Sequence, residues 1–196
     1  MTIKRRHKEI WFEQGFHILK TRGAAELTIQ NLTQRLGKTK GAFYHHFKNR
    51  NDYSEQLLQF WEEKQTTLII ALSQQEDTFR GINDKLTKLS LENTDLGIEV
   101  AIRAWALRDP LARAFQERVD KIRLDFLNSV FALLTRDPDQ VKTIALIRYC
   151  FFIGSHQIIP GMAPETYTRS LATLIEMIET HVEKNGAPLF KKEENP

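Results

Sequence analysis

Apolar residues recur along this chain at intervals of three and four, and no stretch alternates apolar with polar, so the pattern predicts helices throughout and no strand. Between Thr28 and Arg50 the pattern is most informative. Ile29, Leu32 and Leu36 fall on one helical face, with Thr28 placed as N-cap and Gly37 placed to end the helix in a left-handed conformation. Thr39 can cap a second short helix in which Phe43 and Phe47, four apart, turn inward together. Lys40, Ala42, Tyr44, His45 and His46 are left for its other faces. A helix, a glycine turn and a basic, aromatic second helix form the pattern of a helix-turn-helix DNA reader. Upstream, Phe12, Phe16 and Leu19 predict a first helix ending at Gly23, with Gly15 suited to a close helix approach. Downstream, Asn49 can cap a long fourth helix whose stripe runs through Tyr53, Leu57, Phe60, Trp61 and Leu68 to Leu72.

The body continues in the same period. Phe79, Ile82, Leu86 and Leu89 trace one stripe, and residues 96–108 are mostly apolar with Arg103 and Arg108 embedded. Asp109-Pro110 and Asp137-Pro138 are cap-and-proline start signals for two further helices, reaching about Leu134 and Ile159. Pro160, Gly161 and Pro164 interrupt before a last helix over about 165–183. Residues 144–153 are apolar on nearly all sides, which predicts burial on more than one face. The last helix carries Tyr167, Leu171, Leu174, Ile175 and Ile178 as a continuous stripe. Together with Ile147 and Phe151 these residues suit a four-helix bundle with a second copy of the chain, the alternative being an internal core helix in a monomer. The expected organisation is all-α. It comprises an N-terminal three-helix DNA-binding domain over 1–50, a linking helix over about 50–74, a helical regulatory and dimerisation domain over 75–185, and a flexible tail over 186–196.

Charge sharpens this picture. The net charge of +3 hides an asymmetry: residues 1–50 hold eleven Lys and Arg against three Asp and Glu, while the remainder is acidic by five. Thr28–Arg50 carries five basic residues and no acid, which favours a polyanion partner for that end alone. Arg5, Arg6 and Lys8 form a basic lead-in, read equally well as phosphate contacts or as a mobile tail. No apolar run is long enough to span a membrane, and the basic start lacks the apolar core of a secretory signal, so a cytoplasmic protein is expected. The single cysteine, Cys150, excludes an internal disulfide and a multi-cysteine zinc site. No cofactor or metal is expected, because adjacent histidines such as His45 and His46 do not form the i, i+4 pair of a helical metal site.

The segment Lys40-Gly41-Ala42-Phe43-Tyr44-His45-His46-Phe47-Lys48-Asn49-Arg50, preceded by Thr28-Ile29, Leu32 and Gly37, resembles the DNA-binding domain of the TetR family of bacterial transcriptional regulators. The resemblance runs from about Ile10 to Trp61. It departs at Lys38, where the family usually has an apolar residue, and at Thr33, where it usually has alanine. The resemblance implies that Gln30, Lys40, Gly41, Ala42, Tyr44, His45 and His46 line the DNA surface. It also implies that the last two long helices make a homodimer, and that a small-molecule effector binds in the helical body.

Side-chain chemistry assigns roles within that surface. Thr28 and Thr39 can donate to phosphate from helix starts, Lys48 and Arg50 flank the reader for backbone contacts, and Tyr44 offers a hydroxyl. Gln30 can bond adenine, Lys40 guanine, and Ala42 a thymine methyl, while Gly41 permits close approach to the groove. Arg103, Trp105, Phe126, Tyr149, Phe152 and His156 are candidates to line a ligand pocket. The expected function is a ligand-responsive regulator, a repressor binding a palindromic operator in double-stranded DNA as a homodimer. The alternative is a dimeric DNA-binding regulator without a ligand. No phosphate loop, zinc-protease signature or nucleophile elbow is present, so no catalytic residue is expected and an enzyme is disfavoured.

Overall fold

The computed structural model describes residues 3–185 apart from Thr94 and Pro160; the expected tail over 186–196 and the side chains of Arg5 and Arg6 lie outside the described residues. Among the described residues every regular element is helical. The helices are α1 (Ile3–Arg22), α2 (Ile29–Leu36), α3 (Lys40–His46), α4 (Arg50–Glu62), α5 (Leu68–Ser73), α6 (Phe79–Asn93), α7 (Leu96–Ala106), α8 (Pro110–Phe131), α9 (Pro138–Ser155) and α10 (Pro164–Asn185). Local sequence explains many of the boundaries. The Asp109 carboxylate accepts from the amides of Leu111 and Ala112 at 2.9 and 3.0 Å, and Asp137 accepts from Asp139 and Gln140 at 3.0 and 3.3 Å, so both Asp-Pro pairs start helices as expected. Asp95 caps α7 by accepting from Gly97 and Ile98, and its second oxygen pairs with Lys20.

The chain divides into two compact units, one formed by residues 1–67 and 95–119, the other by 68–94 and 120–196. In the first, α1 to α4 share one aromatic core with α7 and the start of α8. Trp11, Phe12, Phe16, Phe43, Phe47, Tyr53 and Trp61 are buried with Ile102, Trp105, Phe115 and Val119. Trp105 is therefore a structural residue of this core. The Trp61 indole donates to the buried Glu99 carboxylate at 3.0 Å, joining α4 to α7 by a satisfied polar contact in an apolar setting. Arg118 forks onto Glu62.

At Gly15 the backbone of α1 packs directly against side chains of α4. An added Cβ would sit 2.0 Å from the Tyr53 hydroxyl oxygen, and that hydroxyl donates to the Trp11 carbonyl at 2.8 Å. The fourth helix differs from its predicted form. Residues 63–67 open into a single π turn between α4 and α5, and Leu68 beyond it is exposed rather than continuing the buried stripe. A π turn holds an extra residue and so offsets the apolar period, which is why a stripe read at constant period fails there.

The second unit holds its own core, with Phe79, Ile82, Phe126, Leu127, Val130, Phe131, Ile144, Tyr149 and Ile178 buried together. Tyr149 donates to Asp120 at 2.7 Å, and Arg80 forks onto Glu179 with both bonds at 2.9 Å. Within this chain α9 buries one face only, through Val141, Ile144, Ala145, Arg148 and Tyr149. Its opposite side leaves Leu146 and Ile147 exposed by 52% and 46%.

Candidate nucleic-acid interface

Helices α2 and α3 form the predicted helix-turn-helix. Thr28 caps α2 by accepting from the Asn31 amide at 3.1 Å, and Thr39 caps α3 by accepting from the Ala42 amide at 3.1 Å. Each threonine uses its oxygen in the cap, which leaves the hydroxyl hydrogen to donate outward. Gly37 joins the helices at φ 61°, a left-handed conformation that a side chain would strain. Lys38, the departure from the family pattern in the turn, is exposed and adds a cation there. The other departure is satisfied internally: buried Thr33 donates to the carbonyls of Ile29 and Gln30 at 2.8 and 3.0 Å.

The second helix of the pair is amphipathic in the sense the spacing implied. Phe43 and Phe47 are fully buried, with Trp11 edge-on to both at 5.6 and 6.2 Å. Facing away from that core, Lys40, Gly41, Tyr44 and His45 are exposed, with Tyr44 at 55%. Gln30, Thr39 and Lys48 are exposed as well, and Thr28 and Ala42 are half-buried. At Gly41 an added Cβ would meet nothing closer than the Thr39 hydroxyl at 3.6 Å, so nothing inside the fold demands glycine at that position.

Two predicted contacts are placed differently. His46 is half-buried with its ring tilted against Trp11 at 6.3 Å, because it follows Phe43 by three and shares the inner side of α3. Arg50 turns its guanidinium back into the protein. Its Nε donates to the Leu27 carbonyl at 2.8 Å and one terminal nitrogen reaches the Ala24 carbonyl at 3.5 Å, bracing the connection between α1 and α2. The chain returns close to that connection only in three dimensions, so no local pattern marked Arg50 as a brace.

One positioning residue escaped the sequence reading. Asp52 accepts from the Lys48 amide at 2.8 Å while its own amide donates to Asn49 at 2.9 Å, a capping arrangement that fixes the backbone where Lys48 emerges. Burial raises the Asp52 carboxyl, but the Lys48 amide, the Gln56 side chain and the charges of Lys48 and Lys8 outweigh it and hold the group below the usual carboxylate range. Asn49-x-x-Asp52 carried the signal.

The predicted ligand residues do not fall in one unit. Arg103 and Trp105 belong to the first, and Trp105 is buried in its core. Phe126, Tyr149, Phe152 and His156 belong to the second, where Phe152 stacks with Tyr149 at 6.1 Å and meets His156 edge-on at 4.3 Å. Phe126 is core. An open groove of about 270 Å³ between α6 and α10, floored by Leu171 and Ile175 and rimmed by Arg80 and Glu176, uses none of the six.

The predicted dimer residues divide similarly. Ile147 is exposed and Phe151, Leu174 and Ile175 are half-buried, but Tyr167, Leu171 and Ile178 are buried inside the chain's own unit. A side chain already buried in its own protomer has no surface to offer a second copy. Among the described residues no helix is long and apolar enough to cross a membrane, and no group of three metal-binding side chains comes together.

Residues 12–53, spanning α1 to the start of α4, match the family described as bacterial regulatory proteins, tetR family. No curated protein matches this sequence. The fold is similar to that of a transcriptional regulator from Pseudomonas aeruginosa PAO1, with TM-score 0.72 and 12% identity over 95% of this chain and 96% of that one. A TetR/AcrR family member superposes with TM-score 0.73 and 16% identity over 89% of this chain and 99% of that one. A TetR-family regulator from Mesorhizobium loti MAFF303099 does so with TM-score 0.69 and 16% identity over 95% and 100%. These solved structures bear on the fold; the match over α1 to α4 bears on the family, which is one of transcription factors rather than enzymes. With its helix-turn-helix intact, residues 12–53 matched to the tetR family of bacterial regulatory proteins and its fold shared along nearly the whole chain, this protein has the fold of a TetR-family transcriptional regulator.

Proposed function

We propose that the protein is a ligand-responsive repressor that binds a palindromic operator as a homodimer and acts in the cytoplasm. The observation that carries the reading is α3 itself: phenylalanines hold it from behind while Lys40, Gly41, Tyr44 and His45 face outward. In this reading Lys40 and Gln30 bond base edges, Ala42 meets a thymine methyl, His45 reads or borders the groove, and Thr28, Thr39, Tyr44 and Lys48 hold phosphates. Arg50 and His46 act from behind by holding the reader's shape. Exposed Leu146 and Ile147 on α9, with half-buried Phe151, Leu174 and Ile175 beside them in sequence pattern, supply the apolar surface for a second copy. A symmetric dimer places two α3 helices on half-sites about 34 Å apart, so a modest change in their separation weakens simultaneous docking. Effector and operator then oppose each other by the same factor in both directions.

The test is selection of preferred duplexes from random DNA, followed by fluorescence anisotropy on the selected site and a scrambled control across a salt series. A two-fold symmetric site, bound far better than the control, is expected. Equal binding to both, or no binding at low salt, refutes the reading. A small molecule that lowers operator affinity is expected from a release screen, whereas a dimer that ignores every compound favours a regulator without a ligand.

A further inference from the structure

Four of the chain's exposed arginines spend their forks inside the protein. Arg50 bonds the Leu27 and Ala24 carbonyls, Arg113 bonds those of Ala106 and Leu107, and Arg80 and Arg118 each grip a glutamate. Arg148, in the middle of α9, differs from these four. It is only 2% exposed, more buried than any of those four, and no carboxylate among the described residues pairs with it. Its side chain interacts with the hydroxyl of neighbouring Tyr167, itself 5% exposed, but its Nε–H and the Tyr167 O–H find no acceptor. Asp120, in the same unit, is taken by the Tyr149 hydroxyl. Burial pushes the guanidinium below the usual arginine range, and the nearby Tyr167 hydroxyl opposes that push.

A buried, unpaired cation is among the costliest things a fold can hold, several kcal/mol even after relaxation. Here a guanidinium Nε–H and a phenol O–H lie side by side without an acceptor, which is the complement of an acceptor with negative charge. The surroundings are aromatic. Phe151 lies 5.5 Å from the Tyr167 ring, His156 stacks on Tyr167 at 6.5 Å, and Phe152 meets His156 at 4.3 Å.

We infer that Arg148 and Tyr167 form the anchor of a ligand site for a small organic carboxylate, whose two oxygens take the guanidinium fork and the phenol while its apolar body lies among the Phe151, Phe152 and His156 rings. The inference rests on the ligand-responsive reading above and names the chemical class of the effector. One permanent positive charge calls for a monoanion, which selects a carboxylate over a phosphate dianion.

The test measures binding without DNA, by calorimetry and thermal shift, using benzoate, phenylacetate and octanoate against their neutral amides and inorganic phosphate. At least one carboxylate is expected to bind and raise the melting temperature while its amide does not. Arg148→Met should reduce that binding by about 100-fold and Tyr167→Phe by about tenfold, since hydrogen bonds to a charged group are the stronger kind. Without ligand, Arg148→Met should melt no lower than the wild type, because an apolar replacement of similar size removes the unpaired charge. If Arg148→Met destabilises the unliganded protein and no carboxylate binds the wild type, Arg148 is a brace and the inference is overturned. Phosphate binding as tightly as the carboxylates also overturns it. Release from DNA is scored separately. A neutral compound that releases the operator while no carboxylate binds sinks the anion site but leaves the sensor reading standing. A carboxylate that binds through Arg148 without affecting the operator does the opposite.

Discussion

Two glycines in the reader should respond to the same substitution in opposite ways. At Gly15 a methyl group would lie 2.0 Å from the Tyr53 hydroxyl oxygen and 3.2 Å from the Leu57 side chain. The Tyr53 ring cannot swing aside, since Phe12, Phe43 and Phe47 pack around it with centroids 6.1, 5.7 and 4.9 Å away. Gly15→Ala must therefore separate α1 from α4 or break the bond from Tyr53 to the Trp11 carbonyl. Overpacking costs about 1–3 kcal/mol, and a buried hydroxyl left unpaired costs about 1–3 kcal/mol more. Together they should lower the melting temperature by roughly 10 °C for a chain of this size. Tyr53→Phe removes the clashing oxygen and leaves the ring carbon 3.2 Å from the new methyl, so the double variant should recover part of the loss, with a coupling of about 1–3 kcal/mol. At Gly41 the nearest atom is 3.6 Å away, and alanine should leave stability equal or higher by up to about 1 kcal/mol. Operator affinity should nevertheless fall, because the methyl points away from the fold and toward the groove. Urea denaturation followed by circular dichroism and anisotropy on the selected operator read both halves. A neutral Gly15→Ala, an additive double variant, or a Gly41→Ala that binds operator as the wild type does would refute the reasoning.

Lys48→Ala should weaken operator and scrambled DNA alike and flatten the salt slope by about one unit. Gln30→Ala should instead relax preference at one base pair, and equal losses on both duplexes would exclude Gln30 from base reading. Asp52 is held below its ordinary range in the folded protein, so its contribution is present above the unfolded value of about 3.9 and is lost as pH falls through the folded value. Acid titration should accordingly loosen the start of α4, read as faster amide exchange at Lys48, and Asp52→Asn should show that looseness at neutral pH without further change in acid. Ile147→Glu puts a charge on the exposed apolar side of α9, and sedimentation should find the variant monomeric and weak on a two-half-site operator; an unchanged dimer would place the interface elsewhere.

Much of this was legible in the linear pattern because it is decided locally. A threonine three residues before an amide it can accept from, a glycine where the backbone must turn left-handed, and two phenylalanines four apart are properties of a few neighbouring residues. They placed α2 and α3, their caps and their outward faces before any tertiary contact was known. The Asp-Pro pairs at 109–110 and 137–138 started helices for the same reason.

Periodicity says that a helix has an apolar side, but not what will lie against it. Trp105 carried the same spacing as any core residue, and only the folded chain placed it in one core with residues of α1 and α4. Tyr167, Leu171 and Ile178 formed a stripe that could face a second copy or the chain's own core, and all three are buried within their own unit. Arg50 became a brace through residues more than twenty positions away, Leu68 left its stripe at a π turn, and Arg148 ended inside the protein without an acid beside it. Each of these depends on which distant surfaces meet, a choice made by the packing of whole helices and written in no short stretch of sequence.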